Sequence, residues 1–285
     1  MTPKKLNILL TILLFAACTE PAATPATKLP YSTTSDSAYH YFQVGWRQIM
    51  DEGRYGQAEV SYRKALSFDP DFLIGKATLG RLTLDTTERR RIEQELEGVG
   101  KQLPKIERDL LELYTNFVRF TNLRDHSPAA AREMLIGILP TGQTALGHAV
   151  HQYVDEPYLK SEYVELINSN QGPEAALDSF RVLTNTRHAD NPFLLGFAAT
   201  LEAETGNFEE ALRLASELES VMTDPLAPKV PAIYADIYLA MDSLERAHDF
   251  ALKATELDPR NLDASRLLTR IEARLQKWLR TSGSE

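Results

Sequence analysis

Cysteine is nearly absent from this chain of 285 residues, in which Cys18 is the only one. A single thiol excludes an intramolecular disulfide, so burial of apolar side chains has to hold the fold together. Apolar residues make up 43% of the chain, which is ordinary for a folded protein. Sustained runs of alternating β-branched residues are also lacking, which argues against β-strands.

Long apolar runs are lacking as well. The run from Leu6 to Ala17 has twelve residues. A helix of that length rises about 18 Å, well short of the roughly 30 Å of bilayer hydrocarbon. Two lysines precede the run, and Ala16 and Ala17 come directly before Cys18. A positive end, a short apolar centre and small residues at a cleavage site are typical of a signal peptide that is removed.

The string Phe15-Ala16-Ala17-Cys18 resembles the lipobox of bacterial lipoproteins, with Phe15 where Leu or Val is usual. The resemblance implies that residues 1–17 are a signal peptide and that Cys18 is lipidated. Thr19 stands in place of the Asp that retains lipoproteins in the inner membrane of enterobacteria, so the resemblance favours anchoring to the outer membrane. An ordinary secretory signal with an incidental cysteine and a short uncleaved anchor are the alternatives.

Positive charge is in deficit, with a net charge of −9 at pH 7. Nucleic-acid binding requires clustered Lys and Arg. The one dense basic run, at 89–91, is followed at once by Glu93, Glu95 and Glu97, which is typical of a solvated helix face with ion pairs four residues apart. We therefore expect no nucleic-acid partner.

Catalytic and metal-binding motifs are missing too. The sequence contains no His-Glu-x-x-His and no Gly-x-Ser-x-Gly, and residues 95–102 lack the first glycine and the hydroxyl residue of a phosphate loop. His148 and His151 share a predicted helix with Asp155, but a metal site needs more convergent ligands. We expect no catalytic residue, no metal and no cofactor. An enzyme would require His148, His151 and an acid to converge in one cleft.

Residues 19–36 contain Pro21, Pro25 and Pro30 among Ala, Thr and Ser, without apolar periodicity. This composition is typical of a flexible linker. Together with the lipidated cysteine it predicts a tether over residues 18–36.

A helical hairpin is indicated by Gly53, Ala58, Tyr62, Ala65 and Pro70. The glycine allows a tight turn, the first alanine allows two helices to approach, and the proline ends the second helix. At these offsets the chain resembles the tetratricopeptide repeat family, whose unit is a helix-turn-helix of about 34 residues. The next unit continues in register at Leu79-Gly80, where the family has a Leu-Gly pair.

Further copies follow towards the carboxyl end. Residues 253–259 repeat the pattern of 64–70, residues 206–212 carry another turn and second helix, and residues 172–177 carry a weaker one. The segment 86–156 is helical in pattern without the consensus residues, with Pro140 predicted to close one of its helices. From Leu262 to Arg280, arginines alternate with apolar residues, as expected for a terminal cap with one wet face.

The predicted fold is therefore all-α: a right-handed α-solenoid of about seven helical hairpins with a C-terminal capping helix. The predicted divisions are a signal peptide (1–17), the lipidated cysteine and tether (18–36), repeats (37–85), degenerate hairpins (86–156), repeats (157–261), and the capping helix and tail (262–285).

The resemblance places certain positions of each first helix on the concave wall. The residues expected there to contact a partner are His40, Gln43, Arg47, Arg81, Tyr158, Glu165, Asn168 and Phe193. Because Gln43 and Arg47 replace the Lys and Asn with which the family holds a peptide carboxylate, we do not expect that clamp here.

The resemblances to the lipobox and to tetratricopeptide repeats together imply a membrane-anchored, non-catalytic scaffold that binds a protein or peptide in the bacterial envelope. Two alternatives remain. One is a lipoprotein that captures a small ligand such as a glycan or lipid, which a deep closed pocket would favour over an open groove. The other is a subunit of an envelope assembly machine.

Overall fold

The computed structural model of the protein describes residues 27–184, 188 and 190–282. Within those residues the chain forms thirteen α-helices and no β-strand, which confirms the all-α prediction. The helices are α1 (Asp36–Met50), α2 (Tyr55–Phe68), α3 (Leu73–Leu82), α4 (Thr86–Leu96), α5 (Lys105–Arg124), α6 (Pro128–Gln152), α7 (Pro157–Gln171), α8 (Pro173–Thr184), α9 (Pro192–Glu204), α10 (Phe208–Val221), α11 (Lys229–Ala240), α12 (Leu244–Leu257) and α13 (Leu262–Ser282).

Consecutive helices pack against each other as hairpins, from α1 with α2 to α11 with α12. First helices of neighbouring hairpins also pack together, α3 with α5, α7 with α9 and α9 with α11. Each hairpin thus buries its apolar face on the next, which is the arrangement of a helical solenoid. The right-handed twist stays a prediction.

The small and aromatic positions of the first repeat fill the interface between α1 and α2. Ala58, Tyr62 and Ala65 are fully buried. A Cβ on Gly45 would come within 2.5 Å of the Tyr62 ring. Any larger residue at position 45 would therefore push the two helices apart, because protein interiors leave no room for an added methyl group.

The described residues form six hairpins followed by α13, rather than about seven, because one predicted boundary was wrong. Pro140 lies inside α6 instead of ending a helix there. A proline removes a backbone donor and usually breaks or kinks a helix. Here Ile138 and Leu146, on either side of it, are both buried in the core, and the Thr141 hydroxyl donates to the Ile138 carbonyl at 3.0 Å. Packing on both sides keeps the two halves in one helix.

The predicted tether does not extend to residue 36, because residues 27–35 pack against the folded body. Leu29 and Tyr31 are buried, and the Tyr31 ring lies edge-on to Phe42 with the centroids 5.2 Å apart. The Leu29 amide donates to Glu156 Oε1 at 2.9 Å. Two apolar side chains dock this short segment, although two are too few to appear as a periodicity. The predicted signal peptide, Cys18 and the earlier part of the tether lie outside the described residues.

Helix α13 has one buried and one exposed face, as predicted for a cap. Ala264, Leu267 and Ile271 are buried where α13 packs on α11 and α12. Arg266 and Arg270, on the other face, are exposed. Across the described ranges, no helix combines the length and the apolar character needed to cross a bilayer.

The two ends of the stack touch, whereas the sequence predicted an open-ended arch. The turn between α1 and α2 reaches the start of α11, where Glu52 O accepts a hydrogen bond from the Lys229 amide at 3.1 Å. It also reaches the loop before α13, where Gly53 O accepts from Asn261 Nδ2 at 2.9 Å. The solenoid therefore closes on itself around its inner wall.

Candidate functional site

The closed stack surrounds a cavity of about 920 Å³. Its wall is built mainly from the first helices of the hairpins, together with α13 and the turn between α1 and α2. This volume lies in the range of small-molecule sites. Aromatic rings and charged groups of both signs line it.

Three of the eight residues predicted for the inner groove line this cavity: Arg81, Glu165 and Phe193. They lie on α3, α7 and α9, which are all first helices of hairpins. The structure therefore brings them together on one wall, and their contact with a partner stays a prediction.

The three predicted residues on α1 lie away from the cavity wall. His40 is exposed and Gln43 is half-buried. Arg47 is exposed, and its Nε atom lies 3.7 Å from a carboxylate oxygen of Glu52. These side chains belong to a surface of α1 that is separate from the cavity.

Tyr158 and Asn168, the other two, lie on α7 and do not line the cavity. The Tyr158 ring stacks on Trp46, which lines the cavity, with the ring centroids 5.8 Å apart. The Tyr158 hydroxyl donates to Asp51 at 2.6 Å. Asn168 Nδ2 donates to Glu204 Oε2 at 3.2 Å. Tyr158 therefore holds a wall residue in place from behind.

Arg81 is a well-satisfied charge of the wall. Its guanidinium lies 2.7 Å from a carboxylate oxygen of Glu162 and lies over the rings of Tyr114 and Phe117, at 4.6 and 5.1 Å from their centroids. The Tyr114 hydroxyl donates to the same carboxylate at 2.5 Å. With an ion pair and two ring faces around it, Arg81 has a structural role that needs no ligand.

Glu165 and Lys229 are opposite charges on the wall, yet no ion pair joins them in the described part of the chain. Lys229 Nζ lies over the Phe193 ring, 4.0 Å from its centroid. Burial lowers the pKa of Lys229 to about 8, although Glu165 and Asp51 act in the opposite direction. Burial, helped by the neighbouring Glu162, raises the pKa of Glu165 to about 7. Burial therefore disfavours the charged form of both groups near neutral pH.

Tyr62 lines the cavity from the middle of α2 and is fully buried. Its hydroxyl has no hydrogen-bond partner among the residues that the structure describes. An unsatisfied buried hydroxyl costs about 1–3 kcal/mol. The wall therefore contains a polar group that gains from a further partner.

Two arginines lie close to each other where the cavity meets solvent. Arg124, at the end of α5, makes no ion pair among the described residues; its guanidinium lies 5.6 Å from the Phe120 ring centroid. Burial, followed by the positive charge of Arg266, lowers the pKa of Arg124, while the carboxylates of Asp125 and Asp263 act in the opposite direction. Arg266 is exposed and lies 3.3 Å from Asp263 on its own helix. Two like charges facing a cavity make a favourable place for an anion.

Sequence reasoning missed the wall residues of α11 and α13, although a signal for them exists. Phe193 on α9 lines the cavity together with Thr200, seven residues further on. Lys229 and Asp236 have the same spacing on α11, and Asp263 and Arg270 have it on α13. Arg270 also forms an ion pair with Asp236 at 3.3 Å. Extending the register of the earlier units to α11 and α13 would have placed these charges on the wall.

His148 and His151 lie on the outside of the stack, in a shallow depression between α5, α6 and α7. His151 Nδ1 lies 2.7 Å from the Gly147 carbonyl oxygen. Within the described ranges, no group of three or more His, Cys, Asp or Glu side chains is placed to hold a metal ion. Neither histidine contributes to the central cavity.

The fold and the cavity define the class of protein: a helical-repeat protein whose stacked hairpins surround a cavity of ligand size. A family model described as tetratricopeptide repeat matches residues 50–72, which span the end of α1, the turn and α2. The chain therefore contains a tetratricopeptide repeat where the sequence predicted one from Gly53 to Pro70. No curated protein matches the chain.

Proposed function

We propose that the protein is a lipid-anchored tetratricopeptide repeat scaffold that binds another protein or a peptide segment in the bacterial envelope and performs no chemistry itself. The tetratricopeptide repeat at residues 50–72 carries this proposal, since such repeats commonly bind protein partners. A rigid stack of hairpins supports it, because a preorganised receptor loses little freedom on binding. A lipid anchor would raise the effective concentration of the scaffold beside a membrane-bound partner.

Crosslinking in intact cells tests the scaffold. A photoreactive residue in place of Arg47, which is exposed and outside the cavity, is expected to capture one dominant protein that mass spectrometry identifies. The same residue at Val60, which is 66% exposed on α2 of the same hairpin, is the control. Equal capture at both positions, or no product at Arg47, would contradict a specific partner surface on α1.

The anchor is tested by Cys18→Ser. Without the thiol no lipid can be attached, so the variant is expected to leave the membrane fraction, while the wild-type amino-terminal peptide carries acyl mass. Unchanged helical circular dichroism of the variant would exclude misfolding as the reason. Membrane association that persists in Cys18→Ser would contradict the lipoprotein interpretation.

The cavity favours a second candidate function, the capture of a small ligand. An open groove would suit an extended chain, whereas a cavity bounded by the turn between α1 and α2 suits a compact molecule. The charges on its wall argue against a lipid tail, because an apolar chain would leave Glu165 and Lys229 buried without partners.

A further inference from the structure

The cavity contains an acid-rich region around Lys229. The carboxylates of Glu162 and Asp263 act electrostatically on Glu165. Those of Glu165, Asp51 and Asp236 act in the same way on Lys229. Most of this charge is already balanced: Arg81 pairs with Glu162, Arg270 with Asp236 and Arg266 with Asp263. Asp51 accepts hydrogen bonds from the Tyr158 hydroxyl and from Asn191 Nδ2. Glu165 remains without an ion pair or a hydrogen bond among the described residues.

An excess of carboxylates over cations on this wall favours a cation that enters from outside. Burying a charge is costly unless it is paired. Glu165 is the member of the group that has room for a new partner, because it faces the cavity and keeps part of its surface exposed. An ammonium group is the compact cation that could donate to its carboxylate and lie near the Phe197 ring, which lines the same wall.

The opposite preference holds where the cavity meets solvent. Arg124 lacks an ion pair, and the charge of Arg266 works against its own. A carboxylate between the two guanidinium groups would remove this repulsion and could accept several charge-assisted hydrogen bonds. One cavity thus offers a place for a cation and a separate place for an anion.

Aromatic rings occupy the wall around these two places. Phe117 and Phe120 of α5, Trp46 of α1 and Phe197 of α9 all line the cavity. Rings of this kind bury the apolar body of a ligand with little loss of side-chain freedom. Tyr62 adds a buried hydroxyl that has no partner among the described residues.

We propose that the cavity binds a small zwitterion with an apolar body, of the size of a short peptide with free ends, whose ammonium contacts Glu165 and whose carboxylate contacts Arg124 and Arg266. The cavity volume of about 920 Å³ accommodates such a molecule. This proposal rests on the second candidate function, ligand capture, and is independent of whether a protein docks on the outside of the stack.

Isothermal titration calorimetry of the full chain with three matched peptides tests the proposal. The probes are the tripeptide Ala-Phe-Ala with free ends, its N-acetyl form and its C-terminal amide. The free tripeptide is expected to bind, and removal of either end charge is expected to weaken binding at least tenfold. Equal binding of all three forms, or binding of none, overturns the proposal.

Two variants assign the ends of the ligand. Glu165→Gln is expected to weaken the free tripeptide about tenfold and to leave the N-acetyl form unaffected, because that form has no ammonium to lose. Arg124→Gln is expected to act in the same way on the free tripeptide and to leave the C-terminal amide unaffected. Variants that weaken all three peptides equally would overturn the assignment of the two ends.

Glu97→Gln and Arg132→Gln, at exposed positions outside the cavity, are the matched controls. Circular dichroism shows whether each variant keeps its fold. Native mass spectrometry of the protein from its own cells separates the two levels of the proposal. A bound compound without opposite charges would contradict the zwitterion proposal but leave ligand capture standing. A protein that carries no compound and binds none of the peptides would contradict both proposals.

Discussion

At the scale of single residues, Glu165 shows how the closed stack changes the chemistry of a side chain. Burial and the nearby Glu162 carboxylate raise its pKa to about 7 from the ordinary 4.5. A carboxyl group whose pKa is higher in the folded than in the unfolded state stabilises the fold below its unfolded value. That contribution is lost as the pH rises through the folded value. The ionised Glu165 therefore weighs against folding at pH 8.

Glu165→Gln is expected to stabilise the protein at pH 8 relative to pH 5. The free energy of unfolding of the variant should exceed that of the wild type by roughly 1–3 kcal/mol more at pH 8 than at pH 5, because glutamine does not ionise. Urea unfolding at both pH values measures this difference. Glu97→Gln, at an exposed position, should give equal differences at the two pH values; the same result for Glu165→Gln would contradict the raised pKa.

At the scale of elements, the turn between α1 and α2 serves two purposes. Gly53 has a φ of +73°, in the left-handed region that glycine adopts without strain. A Cβ at this position would also lie 3.2 Å from the Lys229 backbone nitrogen. The residue thus forms the turn of the first repeat and lets the turn approach α11 closely.

Gly53→Ala is expected to destabilise the protein by about 1–3 kcal/mol, because alanine is strained in the left-handed conformation and its Cβ would crowd the Lys229 backbone. Gly56→Ala is the control, since α2 holds Gly56 in a helical conformation and its Cβ would meet Asp258 and Arg260 only at ordinary contact distances, 3.5 Å or more. That change should be neutral or slightly stabilising. Thermal unfolding of both variants decides, and equal melting temperatures would contradict the role of Gly53.

At the scale of the whole molecule, closure depends on polar contacts between distant parts of the chain. Arg54 on the first turn pairs with Asp224, and Arg260 before α13 pairs with the buried carboxylate of Glu59. These pairs flank the hydrogen bond from the Lys229 amide to Glu52 O. These ion pairs stabilise the closure together with the hydrogen bonds to Glu52 O and Gly53 O.

The double variant Arg54→Ala with Arg260→Ala is expected to loosen the closure while the hairpins stay folded. The Lys229 amide should exchange its hydrogen at least about tenfold faster, which corresponds to a loss of roughly 1.4 kcal/mol. Hydrogen exchange measured by mass spectrometry or NMR reports this directly. Arg213→Ala is the control, because its ion pairs lie within α10; equal acceleration in both variants would show that closure does not depend on these pairs.

The sequence by itself determined the helical repeat architecture. Small, aromatic and turn residues such as Gly53, Ala58 and Tyr62 recur at helical spacing, and each acts through neighbours a few positions away in the chain. The same local patterns predicted the amphipathic α13, and the resemblance to tetratricopeptide repeats placed Arg81, Glu165 and Phe193 on an inner wall. Continuing the register would also have placed Lys229 on it.

Only the tertiary structure decided the rest. Pro140 stays inside α6 because both halves pack on neighbouring helices, and residues 27–35 dock because Leu29 and Tyr31 find a site between distant elements. The arch closes into a cavity through contacts between residues some two hundred positions apart, such as Gly53 and Asn261. Periodicity reports the environment of a residue within one helix, whereas these outcomes depend on the shape and charge that remote segments present to each other.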